Sequence, residues 1–372
     1  MERIQVRSAG GGYTVHVGRG VLEDVLPSLL TNLSPRRVAV VTHPSIKDLH
    51  GGRLENSLRK ASVSEGNVVL FAFPEGEDHK TLRTLEEGYR ALLRAGVNRE
   101  DLILAFGGGV VGDLAGFLAA TYMRGIRYLQ VPTTLMAMVD SSIGGKVGVD
   151  LPEGKNLVGA FYRPEAVLAD ISLLETLPRR EMLSGLAEVA KYGFLYDGGI
   201  LAEMEGWVEG IPGAGYDFSR LVAACSARKA GVVSVDERDL SGERALLNYG
   251  HTFGHALEAA TAYHALRHGE AVALGMIMAA RLAESVGMAR VNLLKRHLQV
   301  LSPLLREARL PRDLSADLIL AHMETDKKKA EALRFVLLEG WQEPRLAESP
   351  TANLVRQAVE ETLREAVFLW GN

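Results

Sequence analysis

Four of the chain's ten histidines, His251, His255, His264 and His268, fall within 18 residues. Structural histidines rarely crowd so densely into Ala-rich helical sequence, so the cluster reads as metal chemistry. His251 and His255 stand four apart, as do His264 and His268, and either pair shares a helix face that could chelate an ion. A catalytic zinc site takes about three protein ligands and keeps a position open, and two histidines with one glutamate is one such set. Upstream, Gly185-Leu186-Ala187-Glu188-Val189-Ala190-Lys191-Tyr192 places Glu188 and Lys191 three apart on one helix face. A carboxylate and an ammonium among Leu186, Val189 and Ala190 are costly to bury unless paired or given ligands. Spacing alone does not choose among these groups.

A second set of residues suits anions. Gly107-Gly108-Gly109-Val110-Val111-Gly112-Asp113 follows a β-branched run and contains the spacing GxGxxG. Glycines let backbone approach a pyrophosphate, and amides at the start of the next helix can face it. The acidic residue that usually ends the following strand is missing, since that strand ends in Gln130-Val131-Pro132. Ahead of it, the turn Pro74-Glu75-Gly76-Glu77-Asp78-His79-Lys80-Thr81 offers Glu77 and Lys80 to ribose hydroxyls and a phosphate. Thr133 and Thr134 follow the next strand, where ligands gather in open α/β sheets. From Asp140 through Lys146 to Asp150, and on to Lys155 and Asn156, glycines, hydroxyls, lysines and an amide interleave. This stretch is expected to be a loop that packs no core and wraps an anion. Arg124 adds a cation nearby in sequence.

These groups need elements to hold them. Runs at 37–42, 67–73, 101–106 and 126–132 read as buried strands, with a helical pattern at 81–95 between the second and third. Such alternation argues for a parallel sheet in an α/β domain. From about Leu177 helical patterns take over, at 180–195, 218–236, 252–286 and 352–369, with one short strand signal at 333–338. The expected organisation is an α/β domain over 1–178 and a mostly helical domain over 179–372. A length of 372 residues agrees with two domains, and a formal net charge of −4 gives no sign of a nucleic-acid or membrane-surface protein. The one cysteine, Cys225, sits in apolar LVAACSA and reads as buried packing in a reducing compartment. Charges in MERIQVRSAGGGYTV where a signal peptide needs an apolar run, and the lack of a long apolar stretch, point to the cytoplasm.

Assembled, the segments GGGVVGDLAGFLAATYMRG, VPTTLMAMVDSSIGGKVGVD, GKN, GLAEVAKYG, LNYGHTFGHALE and HGEAVALGM resemble, in order, the motifs of the 3-dehydroquinate synthases. These are the shikimate-pathway members of the sugar phosphate cyclase family, and the likeness covers nearly the whole chain. It implies a Rossmann-like α/β nucleotide-binding domain and an all-α metal- and substrate-binding domain. It also implies a carbon–oxygen lyase converting 3-deoxy-D-arabino-heptulosonate 7-phosphate to 3-dehydroquinate and phosphate, with catalytic NAD and zinc or cobalt. Oxidation of a ring carbinol, elimination of phosphate, return of the hydride and an intramolecular aldol closure make up the reaction.

The resemblance further implies Glu188, His251 and His268 as metal ligands, which leaves His255 for the substrate phosphate and proton transfer. It places NAD against Glu77, Lys80, Gly108, Gly109, Val110, Asp113, Thr133, Thr134, Asp140, Lys146, Lys155, Asn156, Leu173, Thr176, Leu177 and Glu181. It places substrate against Asp140, Lys146, Lys155, Asn156, Lys191, Lys229, Arg244, Asn248 and His255, and one of Lys327 and Lys328 against phosphate. Arg124 is implied to reach substrate bound by a neighbouring subunit, hence a homodimer. A sibling cyclase acting on a sugar phosphate without a carboxylate, or a metal-dependent dehydrogenase of the glycerol dehydrogenase type, is the alternative. The chain departs from the family pattern at His43, where Asp or Asn is commoner. It departs again in the loop 236–243, which is one residue longer than in many relatives, and over 339–344.

Overall fold

The computed structural model describes residues 1–8, 11–208, 217–240, 242–329, 334–348 and 350–370. The chain divides into two compact units, Met1–Leu177 with Ala214–Arg238, and Pro178–Gly213 with Asp239–Asn372.

In the first unit the expected β-branched runs become strands, and others join them. The strands are β1 (Glu2–Ser8), β2 (Gly11–Gly18), β3 (Val38–Thr42), β4 (Val68–Ala72), β5 (Leu102–Gly107), β6 (Arg127–Pro132), β7 (Lys146–Leu151), β8 (Gly154–Phe161) and β9 (Ala166–Asp170). Seven form one sheet in the order β1-β2-β9-β6-β5-β3-β4, parallel throughout except where β1 pairs with β2. Every residue of β3, β5 and β9 is buried, which is why these strands read as unbroken apolar runs rather than alternating ones. The chain places β4 on one side of β3 and then crosses to build β5 on the other. The carboxyl ends of β3 and β5 therefore flank a topological switch point, where open α/β sheets bind ligands.

The stretch expected to be a polar loop is instead mostly an antiparallel hairpin, β7 with β8. Val147 and Val149 alternate inward at period two and join the core with Val158 and Ala160, while Lys146 stays exposed. Interleaved glycines and charges hid this alternation. Helix Ser219–Val235, beyond the residue near which the sequence changes character, packs on β1, and Ser234 Oγ accepts a hydrogen bond from the Arg7 amide at 3.1 Å. Lys229 thereby joins the first unit.

Among the described residues, the second unit is helical apart from turns and a hairpin of β10 (Arg334–Leu338) and β11 (Pro344–Glu348). Helix Arg179–Leu195 is buried without interruption from Met182 to Leu195, so it is a core helix and its charged residues are buried with it. The helical pattern at 252–286 breaks into helices His251–Ala260 and His268–Ser285. Ala262 and Tyr263, at φ of 50° and 61°, turn the chain between them. Among the described residues no helix is long and apolar enough to cross a membrane.

Candidate functional site

The second unit brings Glu188, His251 and His268 together, with one ligand atom from each lying within 4.8 Å of the others. His251 Nε2 stands 3.5 Å and His268 Nε2 3.6 Å from Glu188 Oε1. Three helices supply them. Glu188 comes from the core helix, His251 opens the second and His268 opens the third. The residue before His251 must be glycine, because Gly250 has φ of 78° and a Cβ there would meet Val272 O at 2.8 Å. That close approach seats the start of helix His251–Ala260 on helix His268–Ser285. The converging trio takes one histidine from each of the two pairs four apart.

Glu188 is 1% exposed and forms an ion pair with Lys191, itself 2% exposed. Neither carboxylate oxygen has a hydrogen bond among the described residues. Holding a buried carboxylate without such bonds costs several kcal/mol, on the order expected of an ion taken out of water. Burial opposes its charge, but Lys191, His251 and His268 outweigh burial and hold the carboxyl well below the usual range. Burial, aided by Lys191, pushes His251 down to about 3. Burial acts the same way on His268, yet its contacts with Glu188 and Glu258 lift it to about 10. Two nitrogens and a carboxylate, converging where a buried helix meets two half-buried histidines, are a donor set for zinc or cobalt.

His255 lies beside the trio, its ring centroid 5.4 Å from that of His251 and 6.2 Å from that of His268, and it is exposed. His264 is exposed in the turn between the two helices and takes no part. Arg244 is buried and Asn248 exposed at the two ends of the turn Arg244–Asn248. Glu181 forms an ion pair with Arg267 at 2.9 Å. Lys327 and Lys328 fall in helix Ala316–Lys329, and their side chains lie outside the described residues. Sequence reasoning gave no role to Glu258, whose Oε2 stands 3.1 Å from His268 Nδ1. It is seven residues after His251 on the same helix face, a spacing that could have drawn attention to it.

The first unit gathers a different group. Lys80, 3% exposed, pairs with Asp113 Oδ2 at 2.7 Å, donates to Asn156 Oδ1 and stands 3.7 Å from Glu77 Oε1. Lys155 Nζ is 4.0 Å from the same Glu77 oxygen. Burial works against the Lys80 ammonium, but Asp113 and Glu77 outweigh it and raise its pKa. Five residues expected to meet one ligand are therefore neighbours. Gly108 caps helix Gly109–Thr121, whose first turn has no side-chain cap, and Val110 lies in that turn. The Thr133 amide donates to Gly107 O at 3.0 Å, while the buried Thr133 Oγ1 has no partner among the described residues. Thr134 Oγ1 accepts from the Ala137 amide. An uncapped helix start and an orphaned hydroxyl beside it fit a phosphate-bearing ligand.

Elsewhere in the unit, Lys229 Nζ bonds Asp140 through Oδ2 at 2.8 Å and through its carbonyl at 2.7 Å. Thr176 Oγ1 is 2.7 Å from His50 Nε2, with Leu173 buried and Leu177 half-buried beside it in sequence. Arg124 is exposed in the turn Tyr122–Arg124, in left-handed conformation at φ of 65°. His43, which follows β3 and precedes helix Pro44–Lys60, has Nδ1 3.0 Å from Phe73 O.

Comparison with known proteins identifies the family. A family profile described as 3-dehydroquinate synthase N-terminal matches residues 70–184, and one described as 3-dehydroquinate synthase C-terminal matches residues 185–329. A 3-dehydroquinate synthase of Geobacter metallireducens is 46% identical over 345 residues, 91% of this chain and 94% of that protein. A solved 2-deoxy-scyllo-inosose synthase complexed with carbaglucose-6-phosphate, NAD+ and Co2+ superposes with a TM-score of 0.84 at 27% identity, covering 97% of this chain and 99% of that one. A 2-epi-5-epi-valiolone synthase of Streptomyces hygroscopicus with NAD+ and Zn2+ bound gives 0.80 at 28% identity, over 95% of this chain and 97% of that one. With both halves of its profile matched in order and a relative this similar over nine-tenths of its length, the chain belongs to the 3-dehydroquinate synthase family.

Proposed function

We propose that the chain converts 3-deoxy-D-arabino-heptulosonate 7-phosphate to 3-dehydroquinate and phosphate, with NAD and a divalent metal as cofactors. The observation that carries the reading is the buried Glu188 carboxylate, paired with Lys191 and faced by two imidazole Nε2 atoms. Glu188, His251 and His268 would hold the metal, which when bound supplies Lewis acidity toward a carbinol oxygen. Glu77, Lys80, Asp113, Thr133, Thr134, Lys155 and Asn156, with the amides that open helix Gly109–Thr121, would hold NAD, which supplies a reversible hydride acceptor. Gly108, Val110, Leu173, Thr176, Leu177 and Glu181 complete the proposed cofactor contacts.

The substrate carries both a phosphate and a carboxylate, and the remaining cations suit them. Arg244 presents a planar fork to a carboxylate, whereas Lys146, Lys155, Lys191 and Lys229 act as point charges. Asp140 holds the Lys229 ammonium in place through two contacts. Asn248 supplies a neutral donor and acceptor. His255 is the exposed imidazole of the set and can accept or return a proton near the leaving phosphate. Lys327 or Lys328 adds a further phosphate contact. Arg124, exposed and held by its turn, is assigned to the partner subunit's substrate in a homodimer. A cytoplasmic setting suits a chain whose one cysteine is buried and outside any disulfide.

The test is to supply the heptulosonate phosphate with substoichiometric NAD and zinc or cobalt, and to follow both phosphate and NADH. Phosphate release over many turnovers per NAD, without accumulating NADH, is expected. No phosphate release, or NADH formed in step with substrate, overturns the synthase. Sedimentation of the chain, alone and as Arg124→Ala, tests the dimer. A monomeric wild type removes the role given to Arg124.

A further inference from the structure

The two histidines of the metal trio are held alike. His251 Nδ1 is 3.2 Å from Tyr249 O and His268 Nδ1 is 3.1 Å from Glu258 Oε2, and in each ring Nε2 is the nitrogen turned toward Glu188. An oxygen at Nδ1 requires the proton there and leaves the Nε2 lone pair for a ligand. The anchors differ in charge. Tyr249 offers a neutral carbonyl, whereas Glu258 offers a carboxylate whose side chain is only 4% exposed. A carboxylate at Nδ1 brings the ring a negative charge that a carbonyl does not.

The surroundings show that His268 is not fixed by backbone alone. Its neighbour Gly269 donates its amide to Ser184 Oγ at 3.0 Å, and a Cβ on Gly269 would fall 1.9 Å from Ser184 O. That contact locks the start of helix His268–Ser285 against the helix carrying Glu188. Arg180 and Glu270 tie the same two helices by a paired contact at 2.6 and 2.7 Å. The helix axis is set by these contacts, and Glu258 Oε2 meets the imidazole on its Nδ1 side.

We propose that Glu258 is a positioning residue of the metal centre, fixing the Nδ1–H form of His268 and raising the electron density its Nε2 offers to the ion. The inference rests on the metal reading above. An outer carboxylate of this kind changes metal affinity by about 10–100-fold when replaced. The probes are Zn2+, titrated in competition with a chromogenic chelator, and Co2+, whose visible absorption reports ligand geometry. Glu258→Gln keeps the shape and removes the charge. It should bind Zn2+ roughly 10–100-fold more weakly and shift the Co2+ bands, with far-ultraviolet circular dichroism unchanged. Glu258→Asp restores the charge and should recover part of the affinity. Wild-type affinity and bands in Glu258→Gln overturn the role, since a side chain that merely fills space would give that result. A wild-type chain that binds neither ion overturns the metal centre and this role together.

Discussion

Two buried ionic centres, one in each unit, are built on opposite principles. Around Lys80 the protein closes the account itself, with Asp113, Asn156 and Glu77 all gathered about one ammonium. Around Glu188 it does not. The carboxylate has Lys191 as a counter-charge, but among the described residues its oxygens take no further hydrogen bond and two imidazoles stop at 3.5 and 3.6 Å. A saturated buried charge holds a fold or presents its neighbours to a ligand. An open one, on which two imidazoles converge, is suited to an ion. On the proposed function, the difference separates a scaffold for binding from a centre for chemistry, although both look like ion pairs.

The largest effect should come from breaking the open centre. Glu188→Ala and His268→Ala should each lower metal affinity by more than about 100-fold, beyond the loss an outer carboxylate gives. Metal should then no longer raise the melting temperature, whereas the wild type gains about 2.7 kcal/mol when the ion is present at 100 times its dissociation constant. Calorimetric scans with and without zinc check this, and a variant that still gains stability would erase the distinction between the centres. The closed centre should respond in the fold. Lys80→Met leaves Asp113 without its counter-charge and should cost about 3 kcal/mol by urea denaturation, at the low end for a broken buried pair because Asp113 keeps some contact with water. Unchanged stability would show that the cluster is not saturated after all.

A subtler difference is in protons. His251 is pushed down to about 3 and His268 up to about 10, so at neutral pH the metal-free pair shares its charge unequally, with the proton on His268. Metal entry must expel it, and about one proton per ion should appear at pH 7, read from the dependence of the calorimetric enthalpy on buffer. The sign for stability follows. The His268 pKa lies above its ordinary 6.5, so its contribution is full below pH 6.5 and is lost as pH rises through about 10. Metal-free chain should therefore lose melting temperature between those limits, and metal-loaded chain should not. No released proton would mean that the imidazoles are already neutral.

What was legible in the sequence divides along chemical lines. Buried parallel strands such as Val38–Thr42 announce themselves because apolar runs on both faces leave no ambiguity. The hairpin from Lys146 to Phe161 did not, because Val147 and Val149 alternate with glycine and charge, and composition outweighed period. The break at 261–267 was hidden for a different reason. Ala262 and Tyr263 take left-handed conformations that neither residue type advertises. The histidine cluster was visible as density, but helical spacing pointed to partners four apart, whereas the trio that converges is drawn from three helices. Only tertiary packing, such as Gly250 against Val272, makes that choice. Glu258 escaped because its partner His268 lies on a helix that the sequence reads as continuous with its own.

The smallest effect on bound metal should belong to His255, and it tests the comparison most finely. Spacing makes it a chelating partner of His251, and the rings do approach to 5.4 Å. Yet His255 is exposed and stands outside the trio whose ligand atoms converge. If convergence on Glu188 defines the centre, His255→Ala keeps its ion with unchanged affinity and an unchanged Co2+ spectrum. Its turnover should still fall by about 10²–10⁴-fold, the range for losing a group that moves a proton. Full metal with low turnover would place His255 on the substrate side. Metal lost along with turnover would make it a ligand, and the three-residue centre would have to be redrawn around four.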